Sequence, residues 1–382
     1  MRNGQYGRRE FLIGLTAVAT AVASRSARAA SPACMYVGSF TGEGRGHGEG
    51  ISVYRRAGDA DPWRLIQVLK DLADPSFVIV DGQRRCLYSA HADGTEATAY
   101  RIDRTDGRLT VLNRQPTGGR NGVHLAIDAT GRFLVLANYA TGTVAVLPIH
   151  EDGSLGPLSD LTTLSGTPGP HRTQQERSHP HHCPFDRTGR FIVVPDKGFD
   201  KVFVYRLDTT RGKLMPATPA AVASRAGAAP RHVDFHPARP YAYVINELDS
   251  TITTYRFDPE QGALEPLQVH TTLPSSYTGN NTGAEIAVAP TGRFVYASNR
   301  GHDSIAMFAI DQSTGVLTSV GWEPTQGRTP RFFGLDPSGT HLYAANQTSD
   351  TVVIFRIDAV SGMLTPTGEI VKVASPTAIA FA

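Results

Sequence analysis

Histidine, arginine and glutamate recur at matched positions of a repeated line in this 382-residue sequence. Each copy turns at a corner, Gly-Arg in most copies, that begins at Gly131, Gly189, Arg239, Gly292 or Gly339. The eighth residue before the corner is Val123, His181, Arg231, Ala284 or Arg331, and the seventh is His124, His182, His232, Glu285 or Phe332. A second matched position, further along each copy, holds Tyr139, Asp196-Lys197, Glu247, Arg300 and Gln347. So many polar residues at matched positions indicate one shared site.

The residue types at these positions offer acid–base catalysis and the binding of an anion. Histidine accepts or donates a proton near neutral pH, and a neighbouring carboxylate can orient it. Arginine binds carboxylate or phosphate through two parallel hydrogen bonds. The pattern therefore predicts a ligand site with His181, Arg231, Glu247 and Arg300 at its core.

One cluster has the residue types of a metal site, namely His179, His181, His182 and Cys183. Neighbouring residues of a strand point to opposite faces, so we expect His181 and His182 not to share one ion. The glycine-rich residues 42–50 have no following helix and no Lys-Ser or Lys-Thr pair, which argues against a phosphate-binding loop. We expect a flexible loop over the site there, and we predict neither a metal nor another cofactor.

The elements that position these residues are short β-strands in a repeat that recurs roughly every 50 residues. Each copy holds three or four runs rich in Val, Ile, Tyr and Phe, bounded by Gly, Pro, Asn or Asp, as strands and turns require. Such a unit is typical of a β-propeller blade, which buries its faces only by stacking on neighbours around a ring. Alternate connections of an up-and-down blade share a face, so both matched positions fall at one mouth of the central channel.

Six copies are complete, and a seventh is divided between the two ends of the chain. The last strand-like run, residues 377–381, has no partner after it, whereas residues 35–39 and 51–54 resemble the next two strands of a blade that lacks its innermost one. Joining them closes the ring and removes an exposed sheet edge. We predict an all-β, seven-bladed propeller of four-stranded blades, a single domain over residues 30–382.

The first 29 residues have the layout of an export signal. Arg8 and Arg9 precede an uncharged run over residues 12–24, and Ala27-Arg28-Ala29 supplies a cleavage site. The run is shorter than the roughly 20 residues that span a membrane, which disfavours an anchor. We predict export through the twin-arginine pathway to the periplasm or the exterior.

Removing this segment changes the charge balance. It holds five arginines and one glutamate, so the net charge of +2 becomes −2. This charge gives no support for nucleic acid or an anionic membrane surface as a partner. The three cysteines, Cys34, Cys86 and Cys183, are too few for a disulfide framework. The sequence therefore leaves two possibilities, one disulfide bridge or three buried free thiols.

Several motifs resemble those of the lactonase-type β-propellers, a family that includes the propeller-type 6-phosphogluconolactonases and the fungal carboxymuconate cyclase. They are Ser178-His179-Pro180-His181, residues 195–200, Pro230-Arg231-His232, Asn246-Glu247-Leu248, residues 298–304 and Thr329-Pro330-Arg331-Phe332. The resemblance covers about residues 33 to 382. It implies a metal-independent propeller that opens or forms a lactone ring, with His181, Arg231, Glu247 and Arg300 as the catalytic residues.

Lactone hydrolysis needs an activated water, a partner for the oxyanion and a proton for the leaving alkoxide. His181 is the candidate general base, and Glu247 or Glu285 orients it or takes the base role itself. Arg231 and Arg300 are candidates to hold a substrate anion and the oxyanion. The predicted substrate-binding residues are His179, Asp196, His232, Glu285 and Arg331. We expect a monomer that acts on a small-molecule lactone or carboxylated substrate.

Two other functions stay open at this point. A carboxymuconate-type cycloisomerase needs nearly the same arginines and acid–base pair. A non-catalytic exported propeller would bind a partner and would need no acid–base group, so variants of His181 or Glu247 would keep its function.

Overall fold

The computed structural model describes residues 34–58, 61–83 and 85–382. Over these residues the chain forms 27 strands in seven sheets, and no described residue is helical. Neighbouring sheets pack against one another around a closed ring. The prediction of an all-β, seven-bladed propeller is confirmed. The predicted export signal, residues 1–29, lies outside the described residues, within which no helix could cross a membrane.

Six sheets follow one another along the chain as blades 1 to 6, each running from the channel outward. The first three are blade 1, β4 (Pro75–Val80), β5 (Cys86–His91), β6 (Glu96–Ile102) and β7 (Leu109–Pro116); blade 2, β8 (Gly122–Ile127), β9 (Phe133–Asn138), β10 (Thr143–Pro148) and β11 (Asp160–Thr163); and blade 3, β12 (Phe191–Asp196), β13 (Lys201–Asp208) and β14 (Lys213–Ala223). The next three are blade 4, β15 (Pro230–Phe235), β16 (Tyr241–Asn246), β17 (Thr251–Phe257) and β18 (Leu264–Thr271); blade 5, β19 (Thr282–Val288), β20 (Phe294–Arg300), β21 (Ser304–Ile310) and β22 (Leu317–Pro324); and blade 6, β23 (Pro330–Leu335), β24 (His341–Asn346), β25 (Thr351–Ile357) and β26 (Leu364–Lys372).

The seventh sheet, the closing blade, joins the two ends of the chain. It orders β27 (Pro376–Phe381), β1 (Cys34–Ser39), β2 (Ile51–Arg55) and β3 (Arg64–Leu69) from the channel outward. The last strand of the sequence therefore lies innermost and pairs antiparallel with the first. The split blade predicted from the terminal runs is confirmed, because β27 and β1 pair in one sheet.

Blade 3 departs from the four-stranded pattern. Its innermost position is occupied by residues 180–185, which contact β12 through only two isolated bridges, Pro180 with Asp196 and Phe185 with Ile192. Proline at positions 180 and 184 removes two backbone donors, so a continuous ladder cannot form there. This segment carries His181 and His182, and their side chains are freed from strict alternation.

The innermost strands of the other blades share one irregularity near their first residues. The pairing register shifts at Ser76 in β4, Val123 in β8, Arg231 in β15 and Arg331 in β23, and over two residues, Ala284 and Glu285, in β19. Such a bulge bends the strand and re-aims side chains, and bulges are frequent beside active sites. The matched eighth position of the sequence repeat is therefore the bulged residue of β8, β15 and β23, and one of the two bulged residues of β19.

Neighbouring blades are joined by a repeated tyrosine contact. The hydroxyls of four buried tyrosines each donate to a glycine carbonyl in a turn of the next blade, at 2.9 to 3.0 Å: Tyr36 to Gly107, Tyr88 to Gly153, Tyr243 to Gly315 and Tyr296 to Gly362. The four glycines have φ between 75° and 87°, a conformation that favours glycine. Each buried hydrogen bond contributes about 1 kcal/mol.

The hydrophobic core lies between blades. One cluster joins Val135 and Val146 of blade 2 to Ile192 and Val194 of blade 3, and equivalent clusters fill the other interfaces. Because every blade supplies residues to two clusters, no blade is buried without its neighbours. All three cysteines are buried within this core and unpaired, so the sequence alternative of three free thiols is the one observed.

Candidate active site

The predicted residues meet at one mouth of the channel. A cavity of about 200 Å³ has a wall that includes Arg45, Tyr139, His181, Lys197, Glu247, Arg300 and Arg331. A narrower space adjoins it and is lined by His181, Arg231, His232 and Glu285. The residues reach the cavity from bulges in inner strands and from the ends of the strands that follow. One small site thus draws on at least four blades.

Glu247 lies at the centre of a cluster of cations. Its Oε1 is 2.7 Å from Nζ of Lys197, and its Oε2 is 3.0 Å from Nε of Arg231 and 3.3 Å from Nη2 of Arg300. The side chains of Lys197 and Arg231 are 3% exposed and that of Glu247 is 9% exposed. The two guanidiniums also donate to carbonyls of β19, Arg231 to Ala284 and Arg300 to Gly283, so their planes are fixed.

This environment decides the protonation state of Glu247. Burial alone raises its pKa, but Lys197, Arg300 and Arg231 outweigh burial and hold the pKa well below its usual range. The carboxylate therefore stays ionised at all physiological pH values and is a poor proton acceptor. The predicted option of Glu247 as general base does not fit this geometry. Glu247 instead holds three cations side by side.

A hydrogen-bonded chain of three buried side chains leads away from the cavity. Nδ1 of His181 lies 3.1 Å from Nε2 of His232, and Nδ1 of His232 lies 2.8 Å from Oε1 of Glu285. Oε1 of Glu285 also accepts the backbone N–H of Ile286 at 3.0 Å. Within the described part of the chain, no hydrogen bond engages Nε2 of His181, which lines the cavity. His181 therefore presents one ring nitrogen to a bound molecule while the other is fixed.

The pKa values along this chain move in opposite directions. Burial lowers the pKa of His181 well below its usual value, and Arg231, Lys197 and Arg331 lower it further. Burial likewise lowers the pKa of His232. Burial raises the pKa of Glu285 to about 8, although Arg231 acts against it. Both histidines are therefore neutral near pH 7, and the group that titrates near neutrality is the carboxyl at the far end.

Two further arginines complete the mouth. The guanidinium carbons of Arg45 and Arg331 lie 5.5 and 5.0 Å from the centre of the Phe40 ring, within cation–π range. Arg45 comes from residues 42–50, the glycine-rich loop between β1 and β2, and forms an ion pair with Asp93. The loop packs closely, since a Cβ on Gly46 would lie 2.7 Å from that of Phe40. This loop, expected over the site, does reach the cavity.

Two predicted substrate-binding residues, His179 and Asp196, are absent from the wall of the cavity. The ring of His179 stacks on Tyr139 at 4.3 Å and contacts Glu176. Asp196 accepts the backbone N–H groups of His179, Gly198 and Phe199 at 2.8 to 3.0 Å, and the hydroxyl of Ser178. Asp196 thus fixes the loop that carries Lys197, and its role as a substrate ligand stays a prediction.

Lys197 and Tyr139 belong to the wall of the cavity but were not among the predicted site residues. Each directly follows the last residue of a second strand, as Glu247 does after Asn246. Their repeat position is that of Glu247, the second matched position at which the sequence places both, although it predicts no role for either. Arg45 carries no such signal because its loop belongs to the divided blade.

The expectation that His181 and His182 point to opposite faces was wrong. The His182 ring stacks on His232 at 4.1 Å, and His181 bonds to the same residue. Both side chains reach it because residues 180–185 do not form a regular strand. Among the described residues, no three His, Cys, Asp or Glu side chains are grouped as ligands for a metal ion.

A larger cleft of about 730 Å³ lies on the opposite face, between the turns of blades 1 and 2. It is lined by turn residues, including Asp81, Asp128 and Arg132. The oxygens of Asp81 and Asp128 accept backbone N–H groups of their own turns. The carboxylates of this cleft thus stabilise the turns of the repeat. The smaller cavity is therefore the better candidate for the active site.

Known proteins resemble this chain over most of its length. The family model described as "Lactonase, 7-bladed beta-propeller" matches residues 34–381. The 6-phosphogluconolactonase of Bacillus subtilis is 36% identical over 304 residues, which cover 79% of this chain and 84% of that protein. The 6-phosphogluconolactonase of Formosa agariphila is 32% identical over 313 residues, 79% of this chain and 86% of that protein. The solved periplasmic gluconolactonase of Pseudomonas aeruginosa has a TM-score of 0.84 and 31% identity, over 91% of this chain and 98% of that one.

Proposed function

The chain belongs to the seven-bladed β-propeller lactonase family, and from this premise we propose that it hydrolyses a sugar lactone that carries an anionic group. The observation that carries the proposal is the charge of the cavity. Lys197, Arg231 and Arg300 pair with Glu247, and Arg331 is a fourth cation on the same wall. The second carboxyl group there, that of Glu285, has a pKa raised by burial to about 8 and is mostly neutral at pH 7. Three positive charges are left uncompensated, which favours an anionic ligand.

The reaction itself also produces negative charge. Attack of water on the lactone carbonyl forms an oxyanion, and ring opening yields a hydroxy acid that ionises. Arginine guanidiniums fixed by backbone carbonyls, as those of Arg231 and Arg300 are, stabilise such charge without reorganising. The cation cluster therefore suits the transition state as well as an anionic substituent of the substrate.

His181 supplies the acid–base function in this proposal. Its free Nε2 lies on the wall of the cavity and takes a proton from the attacking water. The same nitrogen returns the proton to the ring oxygen when the carbon–oxygen bond breaks. Glu247 takes no proton and keeps the three cations in place. Of the functions left open by the sequence, hydrolysis is the one that the names of the relatives support.

We propose further that residues 1–29 direct export and that the propeller, residues 30–382, acts as a monomer outside the cytoplasm. The support is the twin-arginine pattern at Arg8 and Arg9 together with the periplasmic location stated for the Pseudomonas aeruginosa neighbour. Replacing both arginines by lysine should retain the full-length protein in the cytoplasm, measured by fractionation. Unchanged export of that variant would refute the twin-arginine route.

The function is tested with a panel of three purified lactones. These are δ-gluconolactone, its 6-phosphate, and glucaro-1,4-lactone, which keeps a free carboxylate. After subtraction of spontaneous hydrolysis, we expect a higher kcat/KM for the two anionic lactones than for the neutral one. Arg331→Ala should raise KM for the anionic lactones by about 10- to 100-fold, the equivalent of one charge-assisted hydrogen bond. No hydrolysis of any lactone above background would refute the proposal.

A matched control is Arg256→Ala. Arg256 lies on the outer surface, 61% exposed, in an ion pair with Glu265. Arg256→Ala should leave kcat/KM for each of the three lactones within error of wild type. This result separates an effect of the cavity from a general change in surface charge.

A further inference from the structure

The chain of side chains behind His181 spans three consecutive blades. His181 comes from the irregular segment of blade 3, His232 from the inner strand of blade 4 and Glu285 from the inner strand of blade 5. The separations along the sequence are 51 and 53 residues, one repeat each. The contacts, 3.1 and 2.8 Å, are both hydrogen-bond distances.

We propose that His232 and Glu285 form a proton relay with His181, which carries the proton abstracted from water out of the cavity to the Glu285 carboxylate. The proposal rests on lactone hydrolysis with His181 as the base. His232 and Glu285 act through His181 and are positioning residues. The sequence predicted substrate binding for both, and for Glu285 also an orienting or basic role.

The relay has two states that the geometry allows. With Glu285 ionised, Nδ1–H of His232 donates to it, Nδ1–H of His181 donates to Nε2 of His232, and Nε2 of His181 offers a lone pair to the cavity. With Glu285 protonated, every bond reverses, and Nε2–H of His181 becomes a donor. Both histidines are neutral in each state, because the only difference is one proton and the tautomers it sets.

The cations around the cavity explain why a relay is needed. An imidazolium at His181 would be buried and would face Arg231, Lys197 and Arg331, all positive. Moving the charge change to Glu285 replaces a new buried cation by the neutralisation of a buried anion. Oε2 of Glu285 is buried and has no hydrogen-bond partner among the described residues, so the ionised form is poorly stabilised and accepts a proton readily.

The two other histidines beside the relay are weaker proton acceptors than an ordinary histidine. His124 and His182 pack against His232, and burial lowers the pKa of both below the usual value of histidine. Arg231 and Asp234 are the charges that face Glu285, and the second raises its pKa. The carboxyl of Glu285, with a pKa of about 8, is thus the terminal acceptor.

Each step balances. As the water oxygen bonds to the carbonyl carbon, one water proton moves to Nε2 of His181, the Nδ1 proton of His181 moves to His232, and the Nδ1 proton of His232 moves to Glu285. When the ring carbon–oxygen bond breaks, the three transfers reverse and the leaving alkoxide receives the proton. The second water proton leaves as the product acid ionises.

The kinetic test compares wild type with Glu285→Gln and His232→Phe on the lactone that wild type hydrolyses best. Wild-type kcat/KM should rise with pH through an apparent pKa near 8. In both variants we expect kcat to fall by about 10²-fold or more, KM to stay within about twofold, and the rise near pH 8 to disappear. Wild-type kcat and an unchanged pH profile in Glu285→Gln would overturn the relay. Thermal unfolding confirms that each variant is folded.

A third variant changes the relay without cutting it. Asp234 lies on the same strand as His232, and its negative charge raises the pKa of Glu285. Asp234→Asn should therefore move the apparent pKa of kcat/KM downward and keep the plateau rate. A merely structural role for Glu285 predicts no such shift, so an unchanged apparent pKa counts against the relay.

A measurement without turnover separates failure of the relay from failure of the proposed function. In ¹⁵N-histidine-labelled wild type, the ring nitrogen shifts of His181 and His232 should change together as Glu285 titrates, and in Glu285→Gln they should stay fixed. Coupled shifts with no lactone hydrolysis would keep the relay and refute the function. Lactone hydrolysis without coupled shifts would keep the function and refute the relay.

Discussion

Replacing Glu247 by glutamine removes the one negative charge that holds three cations together. The change keeps the size of the side chain. It leaves the buried Lys197 and Arg231 and the partly buried Arg300 facing one another within contact distance of one amide. Removing one partner of a buried ion pair costs about 3–5 kcal/mol, because the remaining charge loses its compensation. We expect the free energy of unfolding of Glu247→Gln to be lower than wild type by about this amount.

The pH dependence gives this prediction a sign. Glu247 has a folded pKa below its unfolded value, so its contribution is complete above the unfolded pKa and is lost only in acid, as pH falls through the folded pKa. In Glu247→Gln, burial of Lys197 no longer meets an opposing carboxylate, and burial lowers the pKa of this lysine. The folded variant then binds fewer protons than the unfolded chain, so its deficit should shrink as pH rises from about 7 to 9.5.

Urea unfolding followed by circular dichroism at the two pH values measures both effects. Adding Lys197→Met to Glu247→Gln removes one unpaired cation and should restore part of the lost stability at pH 7. Glu265→Gln is the control, since its pair with Arg256 is exposed and should cost no more than about 1 kcal/mol. A loss below about 1 kcal/mol for Glu247→Gln, or a deficit that grows with pH, would refute the assignment of the cluster as a charge-compensated unit.

Three further predictions concern the ring. Tyr243→Phe removes the hydrogen bond to the Gly315 carbonyl and should lower the free energy of unfolding by about 1–3 kcal/mol with kcat unchanged; equal stability in urea would count against this contact. Deleting residues 376–382 removes β27 and should abolish the cooperative unfolding transition, whereas a native-like transition would show that the ring holds without its closing strand. Burial raises the pKa of Cys183 and of the two other thiols, so a thiol reagent should modify three groups only after denaturation; rapid modification of the native protein would contradict their burial.

The sequence predicts the ring well because the repeat is encoded locally. Turn residues and alternating strands recur in every copy, and the two partial copies at the termini complement each other, so blade number and closure follow from counting. The matched polar positions also follow, since the bulge that re-aims Arg231 and Arg331 sits at one phase of the repeat. These features require no knowledge of which blades touch.

Other features of the site depend on contacts that no local pattern carries. The sequence allows Glu247 as an orienting or basic residue, and only the distances to Lys197, Arg231 and Arg300 show that three cations hold it ionised. The role of Asp196 likewise depends on which backbone groups its oxygens meet. The same type of residue can therefore bind a ligand, pair with buried cations or hold a loop in place, depending on which residues of other blades it contacts.

The irregular inner segment of blade 3 combines a local sequence feature with contacts between blades. A regular strand would send His181 and His182 to opposite faces, and only one of them would reach His232. Pro180 and Pro184 break the ladder, so both rings approach His232, one along a hydrogen bond and one by stacking. The proposed acid–base residue, His181, thus comes from blade 3, whose innermost segment keeps the matched position of the repeat but does not form a regular strand. The period of about 50 residues then places His232 and Glu285 one and two blades further round the ring. The irregular segment of blade 3 and the regular repeats of blades 4 and 5 are therefore both needed to bring the three side chains together.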